Sequence, residues 1–313
     1  MPDRPPVSLG IAVPQVFFDG PVDMALIREF VTQAESLGYH SLWVQENIIG
    51  NSPVLEPLGL LSYMAALTEN IKLGTSMVIA STRNPVHLAK QFSSLDQMSQ
   101  GRLIIGIGLG GRPSQYPLLD GPPEKDRAKH FRESVAIMKA LFNQPEAKFD
   151  GDFWRLDGEA MEPKPFQTPH PLIWFGGRHP RGLRRAARLA DGWMGAGSTD
   201  TSQFREHAAI IRESLDAQGR DPAAFPISKR VYIALDDDHA RAEKRLRDWF
   251  GRRYGDADLG SRVAVWGDEE TCARGLADII EAGAQMLMLN PMFDHLEHLK
   301  ALPQVAAQVS SGG

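Results

Sequence analysis

Short apolar runs alternate with amphipathic helical patterns along nearly the whole chain, and that alternation constrains the fold more than any single motif. Residues 9–13 form an apolar run closed by Pro14, after which Met24, Ile27, Phe30, Val31, Ala34 and Leu37 recur at helical spacing up to Gly38. The unit repeats: 42–44 predicts a strand, 55–67 a helix, and 71–80, rich in Val and Ile, a third strand. Pro85 opens a helix whose Leu88, Ala89, Phe92 and Leu95 share one face, and Gly101 ends it just before a fourth strand within 102–111. A proline-rich loop at 112–125, a helix carrying Phe131, Val135, Met138 and Phe142, and a fifth strand at 172–175 come next. Residues 193–196, 230–235 and 286–289 bring the strands to eight, with helices at 204–215, 240–250 and 272–282 among them. Residues 149–156, with Asp150 and Gly151 at a turn, predict a small hairpin laid outside the repeat.

Strands that alternate with helices pair in parallel, because each return to the same end of a sheet needs a crossover. Two architectures satisfy that rule, a doubly wound open sheet and a (β/α)8 TIM barrel. The run 102–111, RLIIGIGLGG, bears on the choice, since Gly106, Gly108 and Gly111 satisfy G-x-G-x-x-G, the spacing that cradles a dinucleotide at a helix N-terminus. A dinucleotide motif belongs on the first strand of a doubly wound sheet, whereas these glycines fall on the fourth. Glu124 and Asp126, the acids that follow, lie in a loop, and no helix begins directly after the glycines. Eight repeats without a linker predict one TIM-barrel domain over residues 1–313 with an inserted hairpin. An NAD-dependent Rossmann dehydrogenase is the rival that reads Gly106 to Gly111 as a phosphate loop.

Composition narrows the function classes. A net charge of -5 supplies no positive field for nucleic acid or an anionic membrane. The N-terminal MPDRPPVSLG has no apolar stretch of signal-peptide type, and no run reaches the length of a membrane span, which predicts a cytoplasmic protein. The single cysteine, Cys272, sits in a helical pattern and reads as a packing residue. His295 and His298 stand three apart without converging carboxylates, so they read as solvated helix residues and no metal site is expected.

In a barrel the reactive groups gather at the C-terminal strand ends. That sieve retains Glu46 and Asn47 after the second strand, Thr75, Ser76 and Arg83 along and after the third, Gly108 to Arg112 after the fourth, Gly176, Gly177 and Arg178 after the fifth, and Gly195 to Gly197 after the sixth. Gly176-Gly177-Arg178 ahead of a helix offers backbone N–H groups, a dipole end and a guanidinium, which suits a phosphate; a tight strand-to-helix turn with a surface arginine reads equally well. Arg112, Gln115 and Tyr116 in the long loop are candidates for lining a substrate pocket.

Several segments taken in order resemble the luciferase-like flavin and deazaflavin oxidoreductases. They are 37–44 (LGYHSLWV), 72–75 with 83–85, SQGR at 99–102 ahead of GIGLG at 106–110, 163–165 with 169–171, RAA at 185–187 and ADGW at 190–193. The resemblance implies a TIM barrel that binds reduced FMN or reduced coenzyme F420 at its mouth and works by hydride transfer or oxygenation of a small organic substrate. It places the cofactor phosphate at Gly176, Gly177 and Arg178, the ring near Asn47, Gly108 and Gly110, and a non-proline cis peptide at Ser76-Met77. It also implies catalytic roles for Glu46 and Asn47, a homodimer, and a separate flavin or F420 reductase as partner. Many F420-dependent members carry histidine where this chain has Asn47, and asparagine cannot serve as a general acid near neutral pH. That departure leaves a non-catalytic flavin-binding barrel as a second rival. Gly111 stands where some sugar-phosphate dehydrogenases of the family place an acid, which disfavours that substrate class.

Overall fold

Eight parallel strands close on themselves in the computed structural model, which describes residues 7–51, 53–111 and 113–310. The first half of the chain runs β1 (Ser8–Ala12), α1 (Met24–Ser36), β2 (Ser41–Val44), α2 (Pro57–Leu67), β3 (Lys72–Thr75), β4 (Val78–Ile79), α3 (Pro85–Met98), β5 (Leu103–Gly108) and α4 (Arg127–Asn143). A hairpin of β6 (Ala147–Asp150) and β7 (Arg155–Glu159) intervenes before β8 (Ile173–Gly176), α5 (Pro180–Leu189), β9 (Gly192–Gly195) and α6 (Thr201–Asp216). The rest is β10 (Ile227–Leu235), α7 (His239–Tyr254), α8 (Leu259–Val263), β11 (Val265–Gly267), α9 (Glu269–Glu281), β12 (Met286–Pro291) and α10 (His295–Ser310). The closed order is β1, β2, β3, β5, β8, β9, β10, β12, and β12 returns to β1 with Leu9 opposite Leu287 and Ile11 opposite Leu289. This is a TIM barrel, so an open Rossmann sheet is excluded: the glycine-rich run is a central barrel strand with a 3-10 turn at Pro113–Leu119 after it.

The strand period of two sorts side chains between two cores. Trp43 points inward to Trp174, Ile104, Met194, Met286 and Met288, while Leu42 and Val44 face the helix layer with Phe30, Phe92 and Phe131. The Trp43 indole fits because its neighbours are glycines: a Cβ on Gly74 would lie 2.4 Å from the ring, and one on Gly10 would lie 2.6 Å from its Nε1. The helices begin at the mouth, where Asp23, Glu56, Asn84, Asp200, Asp238 and Asp268 each accept a backbone N–H in the first turn.

Three expectations change. The strand expected over 71–80 is broken: β3 stops at Thr75, the Ser76–Met77 peptide is cis as the family resemblance implies, and β4 resumes against β5 alone. His295 and His298 are not solvated, because α10 packs against α1 and α9 and folds both rings inward. The Nε2 of His298 accepts the Leu235 N–H at 2.9 Å and its Nδ1 lies 2.9 Å from the Asp294 carbonyl, and burial holds its pKa low; burial pushes His295 down to about 4. The third is β11, an additional strand paired with the C-terminal end of β10, Ile233 to Leu235, that the apolar pattern does not announce. The small hairpin appears apart from the barrel as expected, antiparallel and anchored where the Glu133 carboxylate accepts the N–H groups of Asp152 and Phe153. Cys272 is buried, and burial pushes its thiol up to about 12, so it packs as an apolar residue. No helix among the described residues is long and apolar enough to cross a membrane.

Candidate active site

Three strand ends converge on one side chain at the mouth. Met77, the first residue past the cis peptide, lies between β5 and β8: a Cβ on Gly106 would sit 2.8 Å from its Sδ, one on Gly108 3.6 Å from its Cβ, and one on Gly176 2.7 Å from its Cγ. Ser76 is nearly buried, with its backbone N–H donating to the Val44 carbonyl at 2.7 Å. The glycines at 108 and 176 thus leave the methionine a seat between β5 and β8, Gly108 buried and Gly176 partly exposed. Gly110 does something else. With φ at +74° and a Cβ position only 2.8 Å from Ile79 Cγ2, it makes room for Ile79 and the Tyr116 hydroxyl.

Glu46 closes one side. Its fully buried carboxylate pairs with Arg83 and accepts the Ile79 N–H at 2.5 Å, and Arg83 continues to Glu56 Oε1 at 3.0 Å, the carboxylate that caps α2. Glu46 therefore ties β2 to β4 and to α2. Asn47 follows, half-buried, with its amide nitrogen 2.6 Å from where Gly50 would carry a Cβ.

The β8–α5 loop presents Gly177 and Arg178 to solvent. Gly177 has φ at +134° with nothing within 4 Å of its Cβ position, and the Trp193 Nε1 donates to its carbonyl at 3.0 Å. A side chain there would be strained, and the loop is open on the outside yet tied to β9. Of the loop residues expected to meet substrate, Tyr116 is buried and spends its hydroxyl on the Leu109 carbonyl, so it staples the loop to β5 rather than lining a pocket. Gln115 reaches Ile49 O at 3.5 Å, joining the loops after β5 and β2. Arg112 lies outside the described residues.

The apolar pattern hid a polar layer inside the barrel. Arg230 of β10 donates through Nε and Nη2 to Asn290 Oδ1 of β12, at 3.0 and 2.5 Å, and through Nη2 to Gln45 Oε1 at 3.0 Å. Gln45 is itself fixed, its N–H donating to Gln15 Oε1 at 2.6 Å. Lys229, one residue earlier, faces the opposite way: its buried ammonium donates to the carbonyls of Ala196 and Thr199 and to Thr199 Oγ1, at 2.7 and 2.9 Å for the two Thr199 oxygens, and desolvation lowers its pKa to about 7. The usable sequence signal was a lysine-arginine pair inside an otherwise apolar strand, whose alternate faces point into the barrel and toward α6. No group of three or more His, Cys, Asp or Glu able to hold a metal occurs among the described residues.

Comparison with known proteins adds to this geometry. The sequence pattern of a family described as luciferase-like monooxygenase matches residues 12–258. An F420-dependent glucose-6-phosphate dehydrogenase of Kineococcus radiotolerans is 27% identical over 232 residues, 71% of this chain and 68% of that protein. One of Nakamurella multipartita is 27% identical over 254 residues, 78% of this chain and 73% of its own. Among solved structures, an F420-dependent secondary alcohol dehydrogenase in complex with an F420-acetone adduct superposes with a TM-score of 0.85 at 20% identity, covering 97% of this chain and 99% of that one. The oxygenating constituent of 3,6-diketocamphane monooxygenase from Pseudomonas putida, in complex with FMN, superposes with a TM-score of 0.79 at 18% identity, covering 97% and 98%.

Proposed function

The chain belongs to the luciferase-like monooxygenase family, and from that premise we propose that it is an oxidoreductase that binds coenzyme F420 at the barrel mouth and exchanges hydride with a small organic substrate. One observation carries the reading: the glycine-lined end of β5 and β8 around Met77, beside the open Gly177-Arg178 turn, forms a cradle that any side chain at 176 would close, since a Cβ there meets Met77 Cγ at 2.7 Å. The residues present fit a flat ring with a phosphorylated tail. Met77 and Gly108 would back the ring, and Gly176, Gly177 and Arg178 would take the phosphate by backbone approach and a guanidinium. The deazaflavin, when bound, supplies the redox chemistry. F420 is preferred to FMN because the curated relatives named above are F420-dependent by name; with FMN the protein would draw reduced cofactor from a separate reductase.

The chain's own residues position groups and exclude water. Asn47 offers both an N–H donor and a carbonyl acceptor at the end of β2 but has no proton to give near neutral pH. Glu46, paired with Arg83, acts as a positioning residue that holds the Asn47 backbone against β4. The sugar phosphate of the named dehydrogenases is not carried over, because Gly111 brings no carboxylate to the loop. Equilibrium titration of the purified chain with F420, FMN and NAD, followed by turnover with an acceptor panel, tests the proposal. F420 should bind, and Arg178→Glu should weaken it at least 10-fold. Binding of NAD alone would overturn the reading, FMN bound in preference to F420 would replace the cofactor, and flavin binding with no turnover across the panel would leave a non-catalytic barrel.

A further inference from the structure

Arg230 differs from seven of the described arginines in how its charge is answered. Arg83, Arg241, Arg245, Arg247, Arg252, Arg262 and Arg274 each pair with a carboxylate. Arg230 points into the barrel, and the acceptors it reaches, Asn290 Oδ1 and Gln45 Oε1, are neutral amides. No carboxylate stands within 4.0 Å of it among the described residues. Its neighbour Lys229 adds a second cation on the other face of the strand, again answered by carbonyl and hydroxyl oxygens rather than an acid at contact distance. The guanidinium is partly buried, and amide dipoles leave its charge unneutralised where a carboxylate would match its planar fork.

The arrangement is also held in place. The stem packs under the Gly197 backbone, where a Cβ would lie 3.3 Å from Arg230 Cδ, and the guanidinium carbon stands 4.8 Å from the centre of the Tyr232 ring. The Gln15 side chain fixes the Gln45 backbone, and Asn290 takes one edge of the guanidinium, so Nη1 is left for a ligand. Ile48 and Ile49, three and four residues past Gln45 on the loop that follows Asn47, are exposed at 43% and 37%. A planar, pre-oriented guanidinium selects a carboxylate, and exposed isoleucines on the loop leading from Gln45, one of its partners, suit an apolar body.

We propose that Arg230 is the anion anchor of the substrate pocket, held by Asn290 and Gln45, and that the substrate is a small organic carboxylate with an apolar body. The proposal rests on the mouth being the active site of the oxidoreductase described above. It is tested on the full chain, with and without F420, by titration calorimetry using hexanoate, its neutral analogue hexanamide, and inorganic phosphate as probes. Hexanoate should bind, hexanamide at least 10-fold more weakly, and Arg230→Met should lose hexanoate at least 10-fold. Asn290→Asp keeps the arginine but sets a carboxylate against it, and should cost a similar factor; a thermal melt checks that both variants fold. Equal affinity for hexanoate and hexanamide, hexanoate binding unchanged in both variants, no hexanoate binding with or without F420, or phosphate bound more tightly than hexanoate would each overturn it. A 10-fold loss of F420 affinity in Arg230→Met with hexanoate unaffected would reassign the arginine to the cofactor. Hexanoate binding that depends on Arg230 in a protein that binds no F420 would support the anchor while refuting the cofactor reading.

Discussion

Lys229 is a cation in the middle of a strand, and its surroundings set a pH dependence. Desolvation is the main reason its ammonium titrates near pH 7, with Asp200, the cap of α6, pulling weakly the other way. In the unfolded chain a lysine titrates near 10.4. Below pH 7 both states hold the proton and folding bears the full cost of the buried charge; between about 7 and 10.4 the unfolded chain holds a proton the folded one has released, and stability rises by at most about 1.4 kcal/mol per pH unit. Chemical denaturation of the protein and of Lys229→Met at pH 6.5, 8 and 9.5 should therefore show the wild type gaining on the variant as pH rises. A difference that stays flat across this range refutes the assignment. Residues of this kind were hard to read from sequence because each is a lone polar group in an apolar run. Gln45, Arg230 and Asn290 come from the residue after β2, from β10 and from β12, and only barrel closure brings them within hydrogen-bond distance. Glu46 and Asn47 were visible as the polar end of an apolar strand, yet the ion pair that commits Glu46 to Arg83 spans 37 residues and carries no local signal.

The fourth barrel strand, β5, separates two readings of the same glycines. Gly106 is where Thr75 closes on β5: Thr75 Oγ1 donates to the Gly106 carbonyl at 2.6 Å and accepts its N–H at 2.8 Å, and a Cβ on Gly106 would lie 1.7 Å from the Thr75 carbonyl oxygen. That obstacle is backbone and has no rotamer to yield. Gly111, the last glycine of the same motif, has nothing within 4 Å of its Cβ position. Gly106→Ala should cost about 3 kcal/mol or more, as overpacking against backbone does, while Gly111→Ala should stay within about 0.5 kcal/mol, as open surface substitutions do. Urea unfolding of the two variants measures both. Equal tolerance at the two positions would contradict the close approach of β3 and β5. Element type was legible from the apolar period here. The apolar period did not show the break after Thr75, because Val78, Ile79 and Ala80 continue the run unchanged; only the family resemblance marked the cis peptide at Ser76-Met77, where the backbone turns.

At the scale of the whole molecule the barrel was legible because parallel strands require crossovers and eight of them close a sheet, a global rule that single misplaced boundaries do not disturb. The final helix escaped that rule, since it follows the last strand and returns to nothing in the repeat. It nonetheless seals the seam between the first and last units. Leu299, Leu302 and Val305 are fully buried, the Tyr39 hydroxyl before β2 donates to the Leu299 carbonyl at 2.9 Å, and His298 accepts the Leu235 N–H at the end of β10. Burying these three side chains contributes roughly 5 to 9 kcal/mol at about 1.5–3 kcal/mol each, against a net stability of about 5–15 kcal/mol for a typical folded protein. A chain ending at Asp294 should therefore lose cooperative unfolding or aggregate. Tyr39→Phe, which leaves one buried carbonyl without its donor, should cost only about 1 kcal/mol. Circular dichroism melts of the two variants decide the matter. A truncated chain that melts cooperatively at the wild-type midpoint would mean that β12 closes the barrel on its pairing with β1 and β10 alone.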